Sequence, residues 1–365
     1  MIIILVLVAM FGLAIWAYTS KDIFGKTPSG AYLEYIKQSP HYNGKKFLNL
    51  SHTPDITEGV SYFQVLRSFL LEKSKRLKPA STLPSQKTDL FKLNPEENIL
   101  VWFGHSSYFM QVDGRKILVD PVFSGNASPI PGSMKSFPGS DVYTPADIPE
   151  IDYLFISHDH WDHLDYSTVI QLEHKVKTVI TGLGTSLHLK QWGYPAEKII
   201  EKDWYQEIFL EPGFVVNTLP ARHFSGRGLT KRQQSLWMSF ALKTPTMNIF
   251  IGGDSGYDTH FASIGQQFGP FDLAILECGQ YNKNWRYIHS MPEEVAQAAK
   301  ELKAKRLLPV HWAKFPLAQH DWDEPIIKIS AFGKAQNIPV ITPMIGEAVF
   351  LQDDTQSFSK WWEDI

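Results

Sequence analysis

Three textures of hydrophobic and polar positions follow one another along this chain. Residues Ile2 to Tyr18, IIILVLVAMFGLAIWAY, are apolar on every side and carry no charge. Between Lys21 and Glu97 the pattern is mixed. One amphipathic helix is predicted around Val60–Arg76, with Pro79, Pro84 and Pro95 behind it. From Asn98 onward, short apolar runs alternate with turn residues. NILVWFG and YFMQV read as strands, DGR as a hairpin turn and KILVDPVF as a third strand. Further strands are expected at Tyr153–Ser157, Thr178–Thr181, Phe214–Pro220, Leu236–Lys243, Asn248–Gly252, Leu273–Glu277 and Arg306–Val310, and two more near Val340–Thr342 and Ala348–Leu351. Helical patterns sit between some of them. MPEEVAQAAKEL has Pro292 at a first-turn position with Glu293 and Glu294 behind it, and Thr259–Phe268 and Glu324–Gln336 are weaker candidates. Strands in two groups with interleaved helices predict a layered α/β domain, its sheets packed together and covered by helices. A doubly wound nucleotide fold is disfavoured, because no strand–GxGxxG–helix unit is present.

Composition changes this picture little. With 44% hydrophobic and 20% charged residues the chain reads as globular. Its net charge of −3 and lack of a long basic run speak against a nucleic-acid-binding face. Cys278 is the single cysteine, so no internal disulfide can form, and a buried inert thiol is expected. The first segment spans roughly 25 Å as a helix, near the lower limit for crossing a bilayer. An uncleaved membrane anchor is expected there. A cleaved signal peptide is the rival reading, although no basic leader and no clear cleavage site are present, and a buried core helix is the third. Lys21 and Lys26 give too small a charge asymmetry to fix the membrane side.

The chemistry concentrates in FISHDHWDHLD, Phe155 to Asp165, which runs straight out of an apolar strand. His158, His160, Asp162 and His163 are four groups of the kind that borderline divalent metals take. A catalytic site needs further ligands, and three other strand ends offer them. NTLPARHF runs out into His223, NIFIGGDSG into Asp254, and RLLPVHW into His311. A ligand carried at the end of a rigid strand is what a defined metal site requires. Asp120, in ILVDP, could orient a ligand histidine through its second ring nitrogen, or simply form a turn before Pro121. His105 in GHSS is assigned no role. The loop Gly279–Pro292 is rich in aromatics, with Tyr281, Trp285 and Tyr287 leading to His289; these could receive acyl chains or pack the loop down. Arg227, Lys231 and Arg232 could attract a phosphodiester or form a solvated basic loop.

The set HDHWDH, His223, Asp254 and His311 resembles the metallo-β-lactamase superfamily. VWFGHSSYFMQVDGRKILVDPVFSGNASP, LPARHFSGR, GGDSGYDTHFASIGQQFGPFDLAI and PEEVAQAAKELKAKRLLPVHWAKFPLA are similar to the N-acyl-phosphatidylethanolamine-hydrolysing phospholipase D branch and its bacterial relatives. The resemblance covers Asn98 to Leu317. It implies a four-layer αβ/βα sandwich with a two-metal site at its edge. By the resemblance, His158, His160 and His223 hold one zinc, Asp162, His163 and His311 the other, and Asp254 bridges both. Asp162, Asp254 and His289 are the implied catalytic residues, with His289 a phosphate contact. Asp159, between ligands, is expected to point away. An imidazole at His160, where flavin-associated di-iron relatives carry a carboxylate, favours zinc, and Cys278 matches no ligand position. The implied organisation is an anchor or signal segment over 1–19, an extension packing on the core over 20–97, and the hydrolase domain over 98–365. The implied activity is zinc-dependent hydrolysis of a glycerophospholipid such as N-acyl-phosphatidylethanolamine by water activated between the metals. The partners are then a phospholipid and a membrane, with no nucleic acid. The alternatives are a hydrolase of a soluble ester, lactone or cyclic phosphate, and a membrane-tethered metal-binding protein without turnover.

Overall fold

A computed structural model describes residues 1–365 apart from Lys73, Leu229, Lys231 and Asp364. Three helices come first: α1 (Ile2–Thr19), α2 (Gly30–Ile36) and α3 (Tyr62–Leu71). The strands then fall into two sheets. β1 (Ile99–Trp102), β2 (Tyr108–Val112), β3 (Arg115–Val119), β4 (Ile151–Ile156), β5 (Val176–Gly182) and β6 (Ile199–Lys202) lie side by side in chain order. β7 (Gln206–Glu211), β8 (Phe214–Leu219), β9 (Ser239–Lys243), β10 (Asn248–Ile251), β11 (Leu273–Glu277) and β12 (Leu307–Val310) make the second sheet. β13 (Ala348–Phe350) returns to the first sheet and pairs antiparallel with β1, Val101 opposite Ala348. Helices α4 (Tyr166–Leu172) and α5 (Ser186–Gln191) accompany the first sheet, and α6 (His260–Gln267), α7 (Pro292–Glu301) and α8 (Glu324–Gln336) the second. This is the expected αβ/βα sandwich.

The apolar runs follow from burial on both faces of the first sheet. Leu100, Trp102, Tyr153 and Phe155 point into the core shared with the second sheet, where Phe155 meets Phe240 edge-on at 5.1 Å. Their neighbours Ile99, Val101, Leu154 and Ile156 point outward, under Val169 and Leu172 of α4 and Leu189 of α5. Each such side chain contributes roughly 1.5–3 kcal/mol by leaving water.

Three sequence readings needed correction. Val340–Thr342 is no strand; only Val340 bridges to Leu307. β6 and β7 were not foreseen, because they are edge strands whose residues alternate without a clear apolar stripe (IIEK, QEIFLE). The helix expected over Val60–Arg76 runs only from Tyr62 to Leu71. Ser61 and Gln64 start it with a reciprocal capping box.

No residue of α1 is buried, and Trp16 is 67% exposed, which rules out the core-helix reading. Its last turn touches the domain, where the Tyr18 hydroxyl donates to the Pro129 carbonyl at 2.7 Å. After it, Ile36, Tyr42 and Phe47 sink into the core between the sheets.

Candidate metal centre

Four strands deliver the cluster. β4 ends at Ile156 and releases His158, His160, Asp162 and His163; β8, β10 and β12 lead to His223, Asp254 and His311. β9 runs antiparallel to both β8 and β10, while β11 and β12 run parallel to β10. The strands β8, β10 and β12 therefore point the same way and bring their carboxyl ends to one edge. Gly253 takes the tight turn before Asp254 at φ +60°, where a Cβ would come within 2.9 Å of the Ser157 Cβ.

Asp254 lies at the centre and is 3% exposed. Its Oδ2 is 3.2 Å from His163 Nε2, 3.7 Å from His223 Nε2 and 3.8 Å from His158 Nε2. Its Oδ1 is 3.2 Å from His311 Nδ1. On one side of it, His160 Nδ1 is 2.9 Å from His158 Nε2 and 3.2 Å from His223 Nε2. On the other, Asp162, His163 and His311 gather with His105.

These residues fit metal ions better than they fit one another. His223 donates from Nδ1 to the Ile288 carbonyl at 2.8 Å, and His163 from Nδ1 to Asp120 Oδ2 at 2.8 Å. Those bonds turn each Nε2 towards the centre. Burial pushes the pKa values of His158, His223 and His311 far below the ordinary imidazole value, so their lone pairs are free. Nitrogens about 3.3 Å apart are what tetrahedral zinc with bonds near 2.0 Å requires. His163 Nε2 and Asp254 Oδ1 are buried without a hydrogen-bond partner, which a cation would satisfy.

The supporting residues were less legible. Asp120 is placed to hold the His163 ring: its carboxylate also accepts from the Ser157 amide at 2.8 Å and hydroxyl at 2.6 Å, and its φ of +41° is a strained conformation. Replacing Asp120 with Ala is expected to weaken metal retention by about 10–100-fold. Competition with a chromophoric chelator measures this, and unchanged affinity would make Asp120 a turn residue only.

His105, given no role from sequence, is fully buried and holds Asp162 Oδ2 at 2.8 Å. Asn49, in the chain before the sheets, grips the backbone of His223 twice: Nδ2 donates to the carbonyl at 2.8 Å, and Oδ1 accepts from the amide at 3.1 Å. Glu277 accepts from His289 Nδ1 at 2.7 Å and from the Ser290 amide at 3.0 Å. Burial opposes charge on both groups, but their close pairing favours the ion pair and holds His289 above the ordinary imidazole value. His289 stacks on His311 with ring centres 5.2 Å apart.

Other candidates lie elsewhere. Asp159 turns away to the Gly226 amide at 2.7 Å and the Ser235 hydroxyl at 2.7 Å. Arg227 is buried, donates to the carbonyls of Ile23, Asp159 and Leu164, and stacks on Trp161 at 3.9 Å, so it is no phosphodiester attractor. Arg232 does line the cleft but pairs with Asp55 at 2.8 Å; Lys231 lies outside the described residues. The aromatic loop divides. Trp285 lines the cleft, whereas Tyr281 is buried with its hydroxyl on Glu324, and Tyr287 sits under Arg222. Cys278 is buried, and burial raises its thiol pKa well above the usual value.

Comparison with known proteins agrees with this geometry. Residues 115–312 match the family described as "Beta-lactamase superfamily domain". An uncharacterized protein of Mycobacterium tuberculosis is 35% identical over 334 residues, covering 89% of this chain and 88% of its own. The N-acyl-phosphatidylethanolamine-hydrolyzing phospholipase D 1 of Caenorhabditis elegans is 29% identical over 304 residues, 77% of this chain and 82% of its own. Among solved structures, Igni18, a metallo hydrolase of Ignicoccus hospitalis, superposes with a TM-score of 0.53 at 22% identity, over 69% of this chain and 97% of its own. The chain belongs to the β-lactamase superfamily, as a metal-dependent hydrolase with the metallo-β-lactamase fold.

Proposed function

We propose that the chain is a zinc-dependent phosphodiesterase of phospholipase D type, hydrolysing a glycerophospholipid such as N-acyl-phosphatidylethanolamine. The observation that carries this reading is a cleft of about 390 Å³ over the cluster. Its floor is His160, Asp162, His223, Asp254, His289 and His311, and its walls include Val65, Phe69, Phe224, Trp285 and Leu317. A polar floor under apolar walls suits a phosphodiester that carries acyl chains. The named activity of the Caenorhabditis elegans relative points the same way.

The ligands would be His158, His160 and His223 for one zinc and Asp162, His163 and His311 for the other, with Asp254 shared. Two zinc ions so held would bring the pKa of a shared water towards neutrality and neutralise phosphoryl oxygens. His105 and Asp120 keep Asp162 and His163 aimed. His289, fixed through Nδ1 by Glu277, offers Nε2–H to a phosphoryl oxygen. Phe69 and Trp285, stacked with ring centres 5.6 Å apart, keep water from that side. In the reaction, oxygen from water bonds to phosphorus and the bond from phosphorus to the head-group oxygen breaks. The head group leaves as the alcohol, and phosphatidic acid remains.

Detergent-solubilised full chain should carry two zinc by elemental analysis and should prefer N-acyl-phosphatidylethanolamine to water-soluble diesters and lactones. Activity without metal would sink the mechanism. Preference for the soluble compounds would move the assignment to a soluble-ester, lactone or cyclic-phosphate hydrolase.

The same reading treats α1 as a membrane anchor, supported by its uncharged, almost wholly apolar 18 residues, none of which is buried. Deleting residues 1–17, which spares Tyr18, should move the protein to the soluble fraction with its zinc content unchanged. Fractionation and elemental analysis check both. Precipitation with loss of zinc would make the segment part of the fold.

A further inference from the structure

Helix α3 has two apolar faces, and only one of them is used. Tyr62, Val65 and Phe69 line the metal cleft, and the Ser68 hydroxyl reaches Gln319 Oε1 at 3.3 Å. The other face is open: Phe63 is 74% exposed, Leu66 57%, Leu70 69% and Leu71 72%. So many large apolar side chains on one short helix mark an interaction surface rather than a solvent-facing lid.

Charge says what covers it. Arg67 on the helix and Lys75 and Lys78 just beyond it are exposed, in the sequence KSKRLK over residues 73–78. Basic side chains beside an apolar helix face complement anionic head groups. Position agrees. Ile15, Trp16 and Thr19 at the base of α1 share a cavity with Gly226, Gly228 and Thr230. A little further along that loop, Arg232 lines the metal cleft together with Tyr62 of α3. The two exposed apolar helices thus border neighbouring parts of one loop, α1 at Gly226, Gly228 and Thr230 and α3 across the cleft from Arg232.

We propose that α3 is a second membrane contact, lying in the surface of an anionic bilayer so that the metal cleft opens towards lipid. The site of contact is independent of what the cleft hydrolyses. α1 alone tethers the domain but leaves its orientation free; α3 fixes which side faces the lipid. A lipid substrate would then slide from the bilayer past Val65 and Phe69 without crossing water.

The test uses the full chain in vesicles of equal parts phosphatidylcholine and phosphatidylglycerol. Leu66→Cys carries a bimane label, which the buried Cys278 does not compete for. Acyl-chain nitroxide lipids should quench it about twofold, while a label at exposed Glu96→Cys stays bright. A label at position 66 that iodide in water quenches and lipid does not overturns the proposal. Shielding from both quenchers overturns it too, since a second copy or another protein then covers α3. As an independent measure, Leu66→Glu with Leu70→Glu should lower hydrolysis of vesicle lipid about tenfold and leave turnover of a soluble diester unchanged. An equal fall in both activities assigns α3 to the fold alone. Absence of lipid hydrolysis in the unsubstituted chain would count against the phospholipase reading, while the quenching experiment would still decide where α3 lies.

Discussion

Replacing Asp254 with Asn should cut turnover by about a thousandfold and lower the zinc content with it. The substitution is nearly isosteric, so the effect is chemical. Asp254 Oδ2 faces three imidazole nitrogens and Oδ1 faces His311, so this carboxylate reaches both halves of the cluster. Burial opposes its charge, yet the facing imidazoles, His163 foremost, hold its pKa at about 2. An amide removes that charge and points two N–H donors at ring nitrogens and ions alike. A lost hydrogen bond alone costs about 1 kcal/mol, or roughly fivefold. Steady-state kinetics on a soluble diester with elemental analysis therefore separate the two cases. A near-native rate would mean that Asp254 is not shared between the ions.

Stripping the metal should lower the melting temperature by about 10 °C, with recovery on adding zinc back. The histidines and aspartates of the cluster are buried or half-buried, and several of their polar atoms face one another across its centre. Without ions, Asp162 and Asp254 remain as carboxylates at the largely buried floor of the cleft. His163 then stays protonated against burial, because those two carboxylates raise its pKa. Ions bound only by the native arrangement stabilise it by mass action. Scanning calorimetry before and after dialysis against a chelator measures the shift. An unchanged melting point with activity lost would show that the cluster tolerates emptiness.

How much of this was legible depended on the distance over which each residue acts. Strands β4, β8, β10 and β12 announce themselves because most of their residues are buried, and each clustered histidine or aspartate follows its strand within a few positions. The candidate cluster could therefore be assembled from local pattern. The edge strands β6 and β7 bury little and read as loop. Asn49 acts on His223 from 174 residues away and Asp120 on His163 from 43, so nothing local marks the first, and only a proline marks the second. Arg227 misled for a related reason. A guanidinium in a glycine-bearing loop looks solvated until Trp161 and three carbonyls close around it.

The tryptophan after His311 carries a consequence for the order in which the cluster assembles. Trp312 stacks on Trp102 with ring centres 5.4 Å apart and on Trp361 at 5.2 Å. β13 covers the edge of β1, with Val101 opposite Ala348. The segment that seats His311 thus rests on an aromatic clamp drawn from three separate regions of the sequence. Contacts of such long sequence separation close late, because loop entropy is lost before they form. The part of the cluster around His311 is therefore expected to take shape after the HDHWDH loop, whose residues are neighbours in the chain.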